Sequence, residues 1–221
     1  MPSKNAIKEY ESQAYYHIYN RGVAKRTIFK DAKDYKTFLS YLQFYLTDPD
    51  LRGDSSQGQF PPPPSKKLKN YNKEVELIAY CLMPNHFHLF VRQYSDTAIN
   101  YFMRSLCTKY VRYFNTRYSR VGHLFQDTYK AVKVKNEEQW VYLSKYIHRN
   151  PLNLPPCEET PRRLLEYKYS SYPNYLGMFS QNWLHPEEIL GHFHNDRQSY
   201  QKFVEERDDV TPLYSVAIDY D

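Results

Sequence analysis

The sequence predicts an α+β protein built on one antiparallel sheet in the ferredoxin-like order β-α-β-β-α-β-α, with helices on one face. Two apolar runs flank a Met-Pro-Asn break within residues 75–93, and such a break is typical of a β-hairpin. A strand-and-helix pattern precedes the hairpin and a helix-and-strand pattern follows it, which is the order of the split βαβ arrangement. Many functions use this sheet, so the fold alone leaves the function open.

Each predicted element follows from a local pattern. The segment AYYHIYNRG is aromatic and β-branched and ends at an Arg-Gly turn, which indicates a strand. Apolar side chains recur at helical spacing after Asp34 and after Thr97, and Gly122 ends the second of these helices. A third helix begins with an asparagine cap and early acidic residues and stops before Pro151. The predicted strands are 14–22, the two arms of 75–93, and 124–134, and the predicted helices are 34–46, 97–120 and 136–150.

Two segments differ from this main domain, which we place at residues 1–153. Residues 48–74 contain four consecutive prolines and a basic run and cannot bury a core, so we predict a loop insertion there. A ligand segment for a polyproline-binding partner is the alternative. Residues 154–221 are expected to form a carboxy-terminal extension of short turns and helices, packed on the domain and ending in an acidic tail.

The composition excludes several classes of protein. The chain has 221 residues and 3 cysteines without a CxxC pair, which argues against a disulfide framework and against a cysteine zinc site. Apolar runs fall short of the roughly 18–20 residues that span a bilayer, and the first residues lack the apolar segment of a signal peptide. We therefore expect a soluble cytoplasmic protein.

The positive charge is concentrated in the middle of the chain. Residues 96–135 carry eight Lys and Arg against two Asp, whereas residues 196–221 carry three basic against seven acidic residues. A basic middle indicates a polyanionic partner, although a solvated helix face would give the same pattern. The candidate nucleic-acid contacts are Arg21, Arg104, Lys109, Arg112, Arg117, Arg120 and Lys130.

The second arm of the predicted hairpin carries a pair of histidines. Side chains two apart in a strand share a face, so His86 and His88 would project together, opposite Phe87 and Leu89. The apolar side chains would then pack on helices while the imidazoles project from the open face. Two neutral imidazoles so placed can chelate one divalent ion, although most isolated pairs of this kind are ordinary surface or core histidines.

A phenol and an amide lie at the end of the last predicted helix. Tyr146 and Asn150 are four residues apart, so their side chains can approach one point. Asn150 offers a carbonyl oxygen to a hard ion such as Mg²⁺, and Tyr146 offers a phenol that can act as a nucleophile. Together with the metal-binding histidines, these groups predict a reaction in which the phenol attacks a phosphodiester in line. The products would be a phosphotyrosine and a free hydroxyl. The alternatives are a tyrosine that merely packs and an asparagine that only stops the helix.

Taken in order, these motifs resemble a known family. MPNHFH at 83–88 and YIHRNP at 146–151, with IYNRG before and GHLFQDTYKA between, are similar to the motifs of the single-tyrosine HUH transposases. More narrowly, they resemble the REP-associated tyrosine transposases. The similarity covers about residues 14–180 and includes YKYSSYPNYLG at 167–177.

The resemblance implies a metal-dependent single-stranded DNA endonuclease and strand transferase, with the main domain as the catalytic domain. His86 and His88 match the pair that binds Mg²⁺ or Mn²⁺ in the family. Tyr146 matches the nucleophile, and Asn150 matches the polar residue that completes the metal site. Such enzymes cut beside DNA hairpins such as REP palindromes, form a 5′-phosphotyrosine and release a 3′-hydroxyl. Many members are homodimers, and the sequence does not decide between monomer and dimer.

Two other functions stay open at this point. A non-catalytic protein could keep the fold only to bind a hairpin nucleic acid, but it would not need the two histidines, the tyrosine and the asparagine together. A replication-initiator-like nicking enzyme would share the chemistry, but the short chain contains no P-loop motif. Tyr110 and Tyr113 in the basic helix are interpreted as core or stacking residues, because their neighbours are apolar at helical spacing.

Overall fold

A four-stranded antiparallel sheet in the order β2-β3-β1-β4 forms the centre of the protein. The structure is a computed structural model that describes residues 9–51, 69–154 and 164–206. The sheet and its helices confirm the predicted α+β class and the predicted element order. The strands are β1 (Ala14–Arg21), β2 (Val75–Met83), β3 (His86–Gln93) and β4 (Lys130–Val134).

The hairpin of β2 and β3 lies beside β1, and the turn between them is tied to the end of β1. The amide of Gly22 donates to the carbonyl of Asn85 at 2.8 Å. A Cβ atom at Gly22 would lie 2.2 Å from the carbonyl oxygen of Arg26, so only glycine fits this turn. The pairing sets Arg21 opposite His86 at the end of the sheet.

Two helices cover one face of the sheet: α1 (Ala32–Leu46) and α2 (Ala98–Arg117). The side chain of Asp31 caps α1 by accepting from the amides of Lys33 and Asp34. Apolar residues of α2 recur at helical spacing and are buried against the sheet, as the sequence predicts. These buried residues include Phe102, Met103, Leu106, Tyr110 and Phe114.

The opposite face of the sheet is also covered, so the prediction of helices on one face and an open second face is wrong. Tyr15, Ile78 and Phe90 point to this second face and are buried there. Exposing them would cost hydrophobic free energy, and residues 164–206 supply the additional helices that cover them. The elements of this layer are α3 (Glu137–Arg149), α4 (Tyr172–Tyr175), α5 (Glu187–Gly191) and α6 (Arg197–Glu205).

Some element boundaries differ from the predictions. The fourth strand is shorter than 124–134, because Phe125 makes only an isolated bridge to Gly22 and regular pairing begins at Lys130. Asn136 caps α3, as predicted, by accepting from the amide of Gln139. Most of the proline-rich segment (52–68) and the acidic tail (207–221) lie outside the described residues. Within the described ranges, no helix is both long and apolar enough to cross a membrane.

Candidate active site

The two histidines of β3 lie on the face of the sheet that α3 covers. Phe87 and Leu89 point into the core beneath α1 and α2, whereas His86 and His88 point the other way, as the alternation predicts. The centroids of the two imidazole rings are 5.0 Å apart and the rings are nearly perpendicular. His88 is fully buried and His86 is partly exposed, so the pair lies at the edge of a covered surface.

Each imidazole of the pair has its Nδ1 atom engaged by a neighbour. His86 Nδ1 lies 2.6 Å from the amide oxygen of Asn85, and His88 Nδ1 lies 2.9 Å from Nε2 of His17. An amide oxygen only accepts hydrogen bonds, so Nδ1 of His86 carries the proton. The nitrogen that would meet an ion is therefore Nε2 in His86, and the same engagement at Nδ1 points to Nε2 in His88.

Helix α3 brings Tyr146 to the histidines. Leu143 and Ile147 are fully buried against the sheet, and Tyr146 lies on the same side of the helix. The centroid of the Tyr146 ring is 5.5 Å from that of His88 and 5.9 Å from that of His17, with both contacts edge-on. The structure therefore brings the predicted tyrosine and histidines together.

Asn150 lies one helical turn beyond Tyr146, where α3 passes into a short 3₁₀ segment. Its side chain is buried, and Nδ2 donates to the carbonyl oxygen of Tyr146 at 3.0 Å. This hydrogen bond fixes the amide, because the nitrogen end is held by the helix and Oδ1 is the end that could ligate an ion.

The donor set suits a small divalent ion. Among the described residues, no group of three or more His, Cys, Asp or Glu side chains could hold a metal ion, and the candidate donors predicted from the sequence are two imidazoles, His86 and His88, and the amide of Asn150. The amide oxygen suits Mg²⁺ or Mn²⁺, and the imidazole nitrogens bind first-row divalent ions.

A buried polar network holds the helix that carries Tyr146. Nδ1 of His148 lies 2.7 Å from the hydroxyl of Tyr200 in α6, and Nε2 lies 2.8 Å from Oγ of Ser171. The hydroxyl of Tyr200 in turn donates to Oγ of Ser144 at 3.1 Å. Burial lowers the pKa of His148 to about 3, so its ring is neutral. A neutral ring satisfies this network by donating through one nitrogen and accepting through the other.

Two of the predicted cations lie on the strands beside the histidines. Arg21 is paired directly with His86, and Lys130 is paired with Tyr19, which itself is paired with His88. Side chains directly opposite each other in adjacent strands share a face. Arg21 and Lys130 are therefore on the histidine face, and Lys130 also forms an ion pair with Asp127 at 3.2 Å.

The remaining predicted cations belong to α2 and the turn after it, on the other side of the sheet. Arg104 and Arg112 are exposed there. Lys109 lies over the rings of Tyr41 and Phe44 at 4.6 and 4.7 Å, and burial lowers its pKa. Arg120 donates to the amide oxygen of Asn115.

The guanidinium of Arg117 is paired with two acidic side chains of the protein. Its guanidinium bonds to both carboxylate oxygens of Asp31 and lies 2.6 Å from Asp34, which is fully buried. The predicted use of Arg117 as a nucleic-acid contact is not supported by this placement, because its single positive charge is already paired with two carboxylates. The pairing with Asp31 also lowers the pKa of that carboxyl group.

Two residues near the site were not among the predicted ones. His17 and Tyr19 of β1 lie on the histidine face, and the Tyr19 ring stacks at 6.1 Å from that of His88. The strand pattern AYYHIYNRG contains the signal, because Tyr15, His17 and Tyr19 alternate with apolar residues and must share a face. What the sequence does not provide is the register that sets this face beside β3.

Comparisons with known proteins agree with this geometry. Residues 66–150 match a family model described as IS200-like transposase, and this span contains the histidine pair, Tyr146 and Asn150. The fold is similar to that of a REP-associated tyrosine transposase solved bound to a REP hairpin, with a TM-score of 0.56, 10% identity and coverage of 99% of each chain. No curated protein matches the chain in sequence. The predicted resemblance is thereby confirmed.

Proposed function

Since residues 66–150 match the IS200-like transposase family model, we propose that this protein cleaves and rejoins single-stranded DNA beside a hairpin, with Tyr146 as the nucleophile. One observation carries the proposal: the Tyr146 ring lies 5.5 Å from that of His88, on the face that also presents His86. Among the tyrosines that the structure describes, Tyr146 combines a ring contact with His88 and an asparagine one helical turn away.

The reaction is a transesterification. The phenol of Tyr146 gives up its proton to solvent, its oxygen attacks the phosphorus atom in line to form an Oη–P bond, and the bond from phosphorus to the 3′ oxygen breaks. The DNA is left with a 5′-phosphotyrosine on one side, and the 3′ oxygen takes up a proton to become a hydroxyl. Attack by a 3′-hydroxyl on the phosphotyrosine reverses these changes, so rejoining needs no ATP.

The metal site is proposed at His86, His88 and Asn150. An ion of the Mg²⁺ or Mn²⁺ type bound there supplies Lewis-acid polarisation of the scissile phosphate. The protein itself positions the phenol, because α3 is packed on the sheet through Leu143 and Ile147. A nucleophile held in this way avoids much of the entropic cost of bringing the reactants together.

DNA hairpins are the proposed substrate class. The proposal is supported by the structurally similar transposase, which was solved with a REP hairpin. On this chain, Arg21 and Lys130 are proposed to meet phosphates near the site, and Tyr19 offers a ring on which an unpaired base can stack. Arg104, Lys109, Arg112 and Arg120 are proposed only for DNA that extends around the molecule, since they lie across the sheet.

The experiment is to incubate the full chain with end-labelled single-stranded hairpins and Mg²⁺ and to look for a covalent protein–DNA adduct on a denaturing gel. Tyr146→Phe should lose the adduct completely while keeping hairpin affinity, because only the nucleophilic oxygen is removed. Tyr142→Phe, one turn earlier on α3, is the matched control and should react like the natural protein.

Metal removal gives a second arm of this experiment. EDTA should abolish adduct formation, and excess Mg²⁺ should restore it. Adduct formation by Tyr146→Phe at the natural rate would refute the assignment of the nucleophile. Tight hairpin binding by the natural protein, without any adduct across Mg²⁺ and Mn²⁺, would instead favour the non-catalytic binding protein.

A further inference from the structure

A third histidine, His17, is buried against the proposed metal pair. It lies on β1, opposite Phe90 of β3, and is fully buried. Its Nε2 atom is 2.9 Å from Nδ1 of His88, and the two rings are stacked with centroids 5.1 Å apart and planes 19° from parallel. The contact is made by neighbouring strands of the sheet, so it is part of the rigid framework of the fold.

Both atoms of this hydrogen bond are ring nitrogens, so one of them must carry the proton and the other must accept it. If Nδ1 of His88 carries that proton and donates it to His17, then Nε2 of His88 is the basic nitrogen. If His17 donates instead, Nδ1 of His88 is the acceptor and Nε2 carries the proton, which prevents it from ligating an ion. The choice of donor therefore decides whether His88 can act as a ligand.

The other member of the pair is arranged in the same way by a different partner. Nδ1 of His86 donates to the amide oxygen of Asn85, which leaves Nε2 of that ring as its basic nitrogen. Residues that accept the second N–H of a metal-binding histidine fix its tautomer and its ring orientation. His17 is placed to accept a hydrogen bond from Nδ1 of His88, as Asn85 accepts one from Nδ1 of His86.

We infer that His17 is a positioning residue that holds His88 in the tautomer and orientation needed for metal binding through Nε2. This inference rests on the proposed function, because it presumes that the histidine pair binds a divalent ion. His17 itself is not a ligand in this arrangement: its Nε2 accepts the hydrogen bond from His88. The ring of Tyr146 lies 5.9 Å from His17, so the same residue also packs beside the proposed nucleophile.

The first test is Mn²⁺ affinity, measured by isothermal titration calorimetry on the full chain without DNA. His17→Phe keeps a ring but removes the acceptor, and we expect Mn²⁺ binding to weaken by about 10–100-fold. His17→Gln can place its amide oxygen where Nε2 lies, so it should recover most of the affinity. His123→Ala removes an exposed histidine and is the matched control, expected to bind Mn²⁺ as the natural protein does.

The second test reads the tautomer directly and does not depend on how well a variant folds. The ¹⁵N shifts of His88 in the metal-free natural protein should show Nδ1 protonated and Nε2 unprotonated. A protonated Nε2 on His88 would overturn the inference. Unchanged Mn²⁺ affinity in a folded His17→Phe protein would also overturn it and would leave His17 a residue of the core.

Two further outcomes separate this inference from the proposed function. Electron spin-echo spectra of bound Mn²⁺ should show two coordinated imidazoles, and a third that disappears in His17→Gln would make His17 a ligand and overturn the inference alone. If the natural protein binds no Mn²⁺, or if His86→Ala with His88→Ala binds it normally, the proposed metal site fails and the inference fails with it.

Discussion

The face of the sheet under α1 and α2 is packed mainly with apolar side chains, whereas the face under α3 buries three histidines and several hydroxyl groups. On the first face, Phe38, Phe87 and Tyr110 meet ring to ring. On the second, His17, His88 and His148 are each fully buried. Burying a polar group costs free energy unless it is hydrogen-bonded, and both ring nitrogens of His148 have partners.

The two faces contribute differently: the first stabilises the fold, and the second fixes the positions of the proposed site residues. Non-directional apolar packing stabilises the fold without fixing any one side chain for chemistry. Hydrogen-bonded buried groups specify orientation, because each bond requires a particular geometry. The proposed nucleophile and metal ligands lie on the second face, where hydrogen bonds engage the side chains of His86, His88 and Asn150.

The largest expected effect comes from a cavity on the apolar face. Phe38 is fully buried between the sheet and α2, and Phe38→Ala should lower the free energy of unfolding by about 3–5 kcal/mol. Urea denaturation followed by circular dichroism measures this loss. The variant protein that remains folded should still bind Mn²⁺, because the cavity lies across the sheet from the histidines. A loss below about 1 kcal/mol would contradict the packing described for this face.

A smaller effect is expected from the hydroxyl that joins α6 to α3. Tyr200→Phe keeps the ring but removes the partner of His148 and Ser144, and we expect it to lower the free energy of unfolding by about 1–3 kcal/mol. Tyr41→Phe removes a tyrosine hydroxyl from the apolar face and should change the same free energy by less than about 0.5 kcal/mol. Equal losses in the two variants would show that the polar network contributes no special stability.

The smallest effect concerns hairpin affinity and compares an arginine from each face. Arg21→Ala should weaken binding of a single-stranded hairpin and reduce the slope of log affinity against log salt by about 0.7–0.9, the loss of one phosphate contact. Arg117→Ala should leave that slope unchanged, because its guanidinium is already bound to Asp31 and Asp34. Fluorescence anisotropy at several salt concentrations measures both. A reduced salt slope in Arg117→Ala, with an unchanged slope in Arg21→Ala, would instead indicate that DNA binds at α2.

Much of the fold and the centre of the site can be predicted from local patterns. Alternation along β3 separates the histidines from Phe87 and Leu89, and the helical spacing of Tyr146 and Asn150 places both at the end of α3. These predictions hold because periods of two and about 3.6 residues are properties of the backbone itself. They need no knowledge of distant contacts.

What the sequence does not reveal depends on pairings between distant residues. Beside α3, the second layer contains α4, α5 and α6, which have four, five and nine residues and are too short to give a clear periodic signal. Arg117 looks like a free cation in the sequence because its partner Asp31 is 86 positions away. His17 looks like an isolated histidine until the register of β1 on β3 sets it beside His88.

The most direct test of the division between the two faces is to identify the tyrosine that becomes linked to DNA. The adduct formed with a hairpin and Mg²⁺ would be digested with nuclease and protease, and the phosphotyrosine peptide sequenced by mass spectrometry. We predict that the modified residue is Tyr146, on the histidine face. A phosphotyrosine at Tyr110 or Tyr113 of α2, or at any other of the 24 tyrosines, would contradict the assignment of the active site to that face.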